Sequence, residues 1–213
     1  AYVDFFKFPW LKFQQDAPSK GVEYRMQLFY DYSRNIRMLF KVKYKQKEAN
    51  TLDEAVSTSY FLQNQTKFNW QYQVNYKVSA NFEFRNRIEV VQYQESYSNL
   101  KSMGFMLYQD INYTSPNLRF GSNTRLAIFN TDSFSSAIYA YENDVLYAFS
   151  IPAYYGKGLR FYQLVSYSFN DKLKMWARYS LSYYPDKTLI GSGLDQIEGP
   201  LKSEIKLQLQ LKI

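Results

Sequence analysis

At 213 residues, with 26 basic and 19 acidic side chains, the chain is the size of one domain and carries a formal charge of +7. It has no cysteine and no histidine. That rules out disulfides, thiolate metal sites, cysteine nucleophiles and the Ser-His dyads and triads of acyl hydrolases, and it removes the commonest metal ligand. No run of about 18 apolar residues occurs, so no transmembrane helix is expected, and 22 Tyr and 17 Phe against 8 Gly and 6 Pro favour strands.

Read for alternation, the chain yields twelve candidate strands. The first, roughly 2–14, is irregular and interrupted by Pro9, which sheets tolerate at edges and bulges. After a turn at 16–21, the second sets Val22, Tyr24, Met26, Leu28, Tyr30 and Tyr32 against Glu23, Arg25, Gln27, Phe29 and Asp31. A tight connection at 33–35 leads to the third, with Ile36, Met38, Phe40, Val42 and Tyr44 opposed to Arg37, Leu39, Lys41, Lys43 and Lys45. A long polar loop is expected over 46–65. The fourth strand is sharply two-faced: Phe68, Trp70, Tyr72, Val74, Tyr76 and Val78 alternate with Lys67, Asn69, Gln71, Gln73, Asn75 and Lys77.

Past a tight turn at 79–81, the fifth strand opposes Phe82, Phe84 and Ile88 to Glu83, Arg85, Arg87 and Glu89, and Val90-Val91 reads as a bulge. A loop near 95–102 precedes the sixth, with Met103, Phe105, Leu107, Ile111 and Tyr113 on its apolar side. The turn 114–117 leads to the seventh, 118–129, with Arg119, Asn123 and Arg125 on its polar side. An eighth strand at 137–141, a turn at 142–144 and a ninth strand at 145–151 are expected next. Strand ten spans 159–169 and turns at 170–171. Strand eleven alternates Leu173, Met175, Ala177, Tyr179, Leu181 and Tyr183 with Lys172, Lys174, Trp176, Arg178, Ser180 and Ser182. A glycine-containing loop over 185–200 precedes the twelfth strand. There Ile205, Leu207, Leu209, Leu211 and Ile213 alternate with Glu204, Lys206, Gln208, Gln210 and Lys212.

That last strand is longer than usual and two-faced to its end, as a wall strand of a transmembrane β-barrel would be. About 9–11 tilted residues cross a hydrocarbon core. The short turns at 33–35, 79–81, 114–117, 142–144 and 170–171 alternate with longer loops, the parity of bacterial barrels, and put the C-terminus on the periplasmic side. The expected fold is therefore all-β, an antiparallel up-and-down transmembrane barrel of about twelve strands, with residues 1–213 forming one domain or the C-terminal segment of one. A mean hydropathy of −0.47 suits a barrel whose lumen-facing half is polar. Tyr30, Tyr32, Tyr76, Tyr113 and Tyr167 at one end, and Tyr44, Tyr93 and Tyr183 at the other, stand where interfacial girdles lie; aromatic preference for strands also accounts for them. The sequence opens without Met or a signal peptide and reads as a mature chain or a piece of one.

This register gives the charges a place. Arg25, Arg37, Lys41, Lys43, Arg85, Arg87, Arg119, Arg125, Lys174, Arg178 and Lys206 face the lumen, offset in part by Glu23, Asp31, Glu83, Glu89, Asp110 and Glu204. They form either an anion path or a paired polar plug. Phe68, Trp70, Tyr72, Val74, Tyr76, Ile205, Leu207, Leu209 and Leu211 face lipid. No cofactor, metal site or catalytic residue is expected. The partners are outer-membrane lipid and lipopolysaccharide, with other outer-membrane subunits, and not nucleic acid. Acidic loop residues Asp53, Glu54, Asp186, Asp195 and Glu198 are either a divalent-cation site shared with lipopolysaccharide or a solvated surface. The competing class is a soluble all-β protein with a basic surface for nucleic acid or an anionic ligand; an envelope enzyme would have to work without His or Cys.

Two glycine pairs invite other readings. Ile190-Gly191-Ser192-Gly193-Leu194 is similar to the hairpin of a DNA-binding helix-hairpin-helix but lacks flanking amphipathic helices, and no helix follows Gly156-Lys157-Gly158 to make a phosphate loop. Three longer stretches carry a resemblance. They are Phe8-Pro9-Trp10-Leu11-Lys12 with Asp16-Ala17-Pro18; 141–145 through 154–158; and 190–195 through Glu198-Gly199 to 202–206. Together they resemble the C-terminal β-barrel region of Bacteroidota outer-membrane proteins that carry an N-terminal helix-hairpin-helix domain, a domain absent from this chain. The resemblance implies a non-enzymatic outer-membrane barrel with more wall upstream. The final Ile213 departs from the aromatic residue that commonly ends such barrels.

Overall fold

The computed structural model describes residues 1–13, 15, 17–50 and 62–212. Ten strands form one antiparallel sheet in strict up-and-down order: β1 (Tyr2–Phe8), β2 (Ser19–Ser33), β3 (Ile36–Asn50), β4 (Leu62–Lys77), β5 (Phe82–Glu95), β6 (Lys101–Thr114), β7 (Phe120–Thr131), β10 (Lys157–Ser168), β11 (Leu173–Tyr183) and β14 (Leu201–Leu211). Two-residue strands β8 (Ile138–Tyr139) and β9 (Ala153–Tyr154) pair with each other, as do β12 (Leu189–Ile190) and β13 (Ile197–Glu198). Among the described residues the sheet is open, with β1 and β14 as its edges.

Among the described residues the sheet thus has ten strands rather than twelve. The expected eighth and ninth strands do not join it: 132–156 leaves after β7, lies across the sheet and returns at β10. Its stretch 137–142 is extended and so alternates, but pairs only through β8–β9 and a single bridge between Glu142 and Ser150. The expected turn at 142–144 is part of this excursion. Four of the expected short turns remain, at 34–35, 78–81, 115–119 and 169–172, at the end where β14 finishes; the 96–100 connection at the other end is as short as 115–119. Three of them share a device in which a side-chain oxygen accepts two backbone N–H groups. Ser33 Oγ takes those of Asn35 and Ile36, Ser79 Oγ those of Asn81 and Phe82, and Asn170 Oδ1 those of Lys172 and Leu173.

Other boundaries shift for physical reasons. β1 stops at Phe8, before Pro9. β3 and β4 run into the expected 46–65 loop, pairing from Gln46 with Thr66 out to Asn50 with Leu62. That extension is polar on both faces, so alternation could not mark it. β5 pairs without interruption through Val90-Val91, and the register break lies instead between Asp31 and Ser33 of β2. With no bulge at Val90, Tyr93 falls on the polar face and is buried, not at a girdle position.

Register makes the two faces continuous. On the apolar face, Val42, Trp70 and Val90 stand side by side, as do Ile88, Leu107, Ile128, Leu159, Tyr183 and Leu201 across six strands. The polar face holds the core. Ala137, Ile138, Ala140 and Tyr154 of the excursion are buried with Val91, Met106, Tyr108, Ala127 and Phe129 of β5, β6 and β7.

Candidate functional site

The excursion is tied down at its feet. Thr131 donates its N–H to Gly156 O (3.0 Å), and Gly156 N–H returns to Thr131 Oγ1 (2.8 Å). Next comes one 3-10 turn, Phe134–Ser136, whose Ser136 hydroxyl accepts from Ser102 Oγ (2.7 Å) and donates to Met103 O (3.1 Å). Gly104 permits this approach, since a Cβ there would stand 2.4 Å from Ser136 O.

From this point the excursion offers oxygen atoms to cations on strand after strand. Lys67 Nζ of β4 donates to Ser135 O (2.8 Å). Arg125 Nη1 of β7 donates to Tyr141 O (2.7 Å). Glu142 accepts four bonds: Tyr154 OH (2.6 Å) and Arg160 Nε (2.6 Å) on Oε1, Arg160 Nη2 (2.8 Å) and Arg178 Nη2 (2.5 Å) on Oε2. Asp144 Oδ2 pairs with Lys206 Nζ of β14 at 2.8 Å, and its Oδ1 accepts the Val145 N–H. Within the sheet, Arg125 also grips Asp110 of β6 through Nε (2.6 Å) and Nη2 (2.8 Å), with its guanidinium 3.7 Å from the Tyr108 ring centre.

Arg125, Arg178, Asp110 and Glu142 are fully buried. Burial works to raise the Glu142 pKa, but the hydrogen bonds and charge of Arg160, the Tyr154 hydroxyl and the Arg178 charge outweigh it and hold the carboxyl below its usual range. Asp144 is held low in the same way, against burial, by Lys206, the Val145 N–H and Arg178. Burial, reinforced by the Glu142 charge, pushes the Tyr154 phenol up. Each Glu142 oxygen already accepts two donors, so the carboxylate is not free to act as a base. Charge-assisted pairs of this geometry fix a segment in place.

Each residue assigned to the lumen has a definite position. Arg125, Arg178 and Lys206 belong to the network just described. Lys174 is on the polar face of β11, opposite Gln210. Arg119 is not on a strand but in the exposed 115–119 turn, where its N–H binds Asn117 Oδ1. Arg37 sits at the exposed short-turn rim, paired to Asp31 at 2.6 Å. Lys43 and neighbouring Lys45 share Glu23 (2.8 and 3.3 Å), and Arg87 pairs with Glu89. Arg85 lies 3.7 Å from both Glu83 and Asp110, and Arg25 donates to Gln27 Oε1 (3.0 Å). Lys41 makes no hydrogen bond or ion pair to a described residue, although Glu89, Arg87, Arg25 and Lys43 are close enough for their charges to act on it.

Of the residues assigned to lipid, Ile205, Leu207, Leu209 and Leu211 are 67–74% exposed; Phe68 and Tyr76 are exposed, and Trp70, Tyr72 and Val74 half-buried among apolar neighbours. Among the described residues no cluster of three potential acidic ligands exists, so Asp186, Asp195 and Glu198 form no such group; Asp53 and Glu54 lie outside the described residues. Gly191 and Gly193 both have positive φ and border the β12–β13 hairpin, with no helix longer than one 3-10 turn beside them. Reading the sequence missed Glu142, Asp144, Arg160, Tyr154 and Lys67 as parts of one network. The available signals were Gly104 inside a strand and the small residues Ala137 and Ala140, too small for an outward row. The chain matches no protein-family model, and no curated protein shows significant similarity to it.

Proposed function

We propose that this sheet is the wall of a non-enzymatic outer-membrane β-barrel. In this reading the polar face lines an aqueous lumen, and segment 132–156 folds inward to narrow it. The barrel acts as a porin-like channel or as an integral subunit of a larger outer-membrane complex, with lipid and lipopolysaccharide against its apolar face and the C-terminus on the periplasmic side.

One observation carries this: burial is inverted relative to a water-soluble domain. Arg125, Arg178, Asp110 and Glu142 are fully buried, while Ile205, Leu207, Leu209 and Leu211 are among the most exposed side chains. An apolar sheet face this wide is not left uncovered in water. Strand length agrees, since β2 to β6 have 14–16 residues against the roughly 9–11 that a tilted crossing needs. The resemblance to Bacteroidota barrels supports the same envelope location. The proposal requires that β1 and β14 be paired in the bilayer, with each other or with further strands, because lipid leaves unpaired backbone groups unsatisfied.

The test is reconstitution. The expected result is insertion into lipid vesicles and migration that changes on heating. Single-channel recording then separates the two roles: discrete conductance supports the channel, and its absence in an inserted protein leaves the scaffold. A monodisperse protein that stays soluble without detergent and binds DNA in a salt-sensitive way would replace this reading with that of a soluble basic binding protein.

A further inference from the structure

The excursion reaches only as far as β4, at Lys67, and makes no contact with the polar faces of β2 and β3 among the bonds described above. On β3 that face carries Lys41, Lys43, Lys45 and Lys47 in succession, with no carboxylate of its own strand among them. Alternate residues of a strand repeat about every 6.6 Å, so the four lysines leave the backbone in a regular row. Register sets β4 beside it with amides: Gln71 opposite Lys41, Asn69 opposite Lys43 and Gln65 opposite Lys47. Neighbouring strands lie about 4.8 Å apart, so each of these cations has an amide beside it; Asn69 and Gln65 donate their NH₂ groups to Glu89 (3.3 Å) and Glu95 (3.2 Å), which leaves their carbonyl oxygens to accept from a solute. At its long-loop end the row enters a cavity of about 380 Å³ in whose lining Lys12, Lys20, Lys45 and Lys47 outnumber the carboxylates of Asp4 and Glu48.

Pairing within the row is incomplete. Glu23 occupies Lys43 and Lys45, while Lys41 and Lys47 make no ion pair or hydrogen bond with a described residue. Beside Lys41, the buried Gln71 Oε1 has no donor, whereas Arg87 on β5 already pairs with Glu89. An unsatisfied acceptor calls for a hydroxyl, and the unpaired ammonium groups of Lys41 and Lys47 call for oxyanions. A simple anion supplies only the second.

From these juxtapositions we infer that the β3–β4 polar face binds a hydroxyl-rich solute bearing carboxylates, an acidic oligosaccharide, with Lys41 and Lys47 holding its charged groups and Gln71, Asn69 and Gln65 its hydroxyls. Access to the site from outside the cell rests on the barrel reading; the site's chemistry does not.

The experiment is lysine footprinting of the full chain in detergent micelles. Acylation by an amine-reactive reagent is followed residue by residue by mass spectrometry, with trigalacturonate, maltotriose or sodium chloride at matched ionic strength. At a ligand concentration about ten times its Kd, trigalacturonate slows acylation of Lys41 and Lys47 about tenfold, while exposed Lys7 and Lys172 react as before. Lys41→Gln with Lys47→Gln weakens trigalacturonate binding, measured by calorimetry, by about tenfold or more, and Lys7→Gln leaves it unchanged. Equal protection by maltotriose or by chloride, or no protection in protein that has folded and inserted, overturns the site. Protection in a chain that never enters vesicles upholds the site and removes the barrel instead.

Discussion

Replacing Glu142 by glutamine keeps the side chain's shape and removes the charge that Arg160 and Arg178 share. The carboxylate accepts four hydrogen bonds in the native protein. The amide offers one acceptor oxygen, and its NH₂ faces guanidinium donors. Arg178 is 1% exposed and keeps Asp144 at 3.8 Å and Glu204 at 3.5 Å, whereas Arg160 has no other carboxylate within salt-bridge distance among the described residues. Stripping one partner from a buried ion pair costs about 3–5 kcal/mol. The residual contacts of Arg178 put the expected loss near the lower end, about 3 kcal/mol, roughly a hundredfold shift from docked to undocked segment. Tyr154→Phe, which deletes one hydrogen bond to the charged group, should cost less, about 1.5–3 kcal/mol. Chymotrypsin reads both through cleavage after residue 154, an aromatic side chain buried while the segment is docked, so cleavage there tracks the open population when closing is fast. Glu142→Gln should be cut about a hundred times faster than wild type, Tyr154→Phe at an intermediate rate, with the strand circular dichroism unchanged. Cleavage of Glu142→Gln at the wild-type rate would refute the argument that this carboxylate pins the segment.

Other perturbations test other contacts. Gly104→Ala puts a Cβ 2.4 Å from Ser136 O and 2.9 Å from Thr131 Cγ2, so overpacking of about 1–3 kcal/mol should appear as faster chymotrypsin cleavage of the same segment. Leu207→Arg on the apolar face of β14 should cost about 2–4 kcal/mol in a urea titration of vesicle-folded protein if lipid lies there; a change within about 0.5 kcal/mol would place water there instead. For pH, Glu142 and Asp144 both have depressed carboxyl pKa values, so the stability they contribute is fully present above their unfolded values, about 4.3 and 3.9, and is lost as pH falls through the lower folded ones. A spin label on Ala148→Cys, unambiguous because the chain has no cysteine, should stay immobile through pH 5 and loosen only in stronger acid; loosening near pH 6 would contradict the assignment.

The sheet was legible wherever one face was apolar and the other not. Leu201–Leu211 and the 67–77 part of β4 are such strands, and alternation alone placed Arg125, Arg178 and Lys206 on the polar face. It failed where both faces carry the same kind of residue. Val90 lies on the apolar face and Val91 beneath the excursion, so two adjacent valines imitate a phase shift. Residues 46–50, Ala49 apart, are polar on both faces, so a strand imitates a loop. The segment 137–142 shows a different limit: its alternation reports extended backbone and is silent about what covers it. The excursion buries Ala137, Ile138, Ala140 and Glu142 against strands distant in sequence, and no periodicity encodes that meeting. Glu142 and Asp144 therefore looked like turn residues, whereas they are the anchors that fix the excursion on the sheet.

The inversion of burial can be weighed on one strand. Fully burying a Leu or Ile side chain contributes about 1.5–3 kcal/mol, so leaving Ile205, Leu207, Leu209 and Leu211 about 70% in water would forgo on the order of 4–8 kcal/mol. Total folding stability is typically about 5–15 kcal/mol, and β14 is one of the ten strands of the sheet. The opposite face returns only part of this: the excursion covers an apolar cluster with Val91, Met106, Phe129 and Ile138, while buried ion pairs such as Arg178 with Glu142 contribute little net stability over apolar packing. In water the apolar face would go uncovered while charges took much of the buried one. Against hydrocarbon the arrangement becomes the favourable one: the aliphatic row needs no cover, and the charges have only the polar face to occupy. The same reasoning fixes the value of the Leu207→Arg measurement, since a charge on that row is costly only if the medium outside it cannot solvate charge.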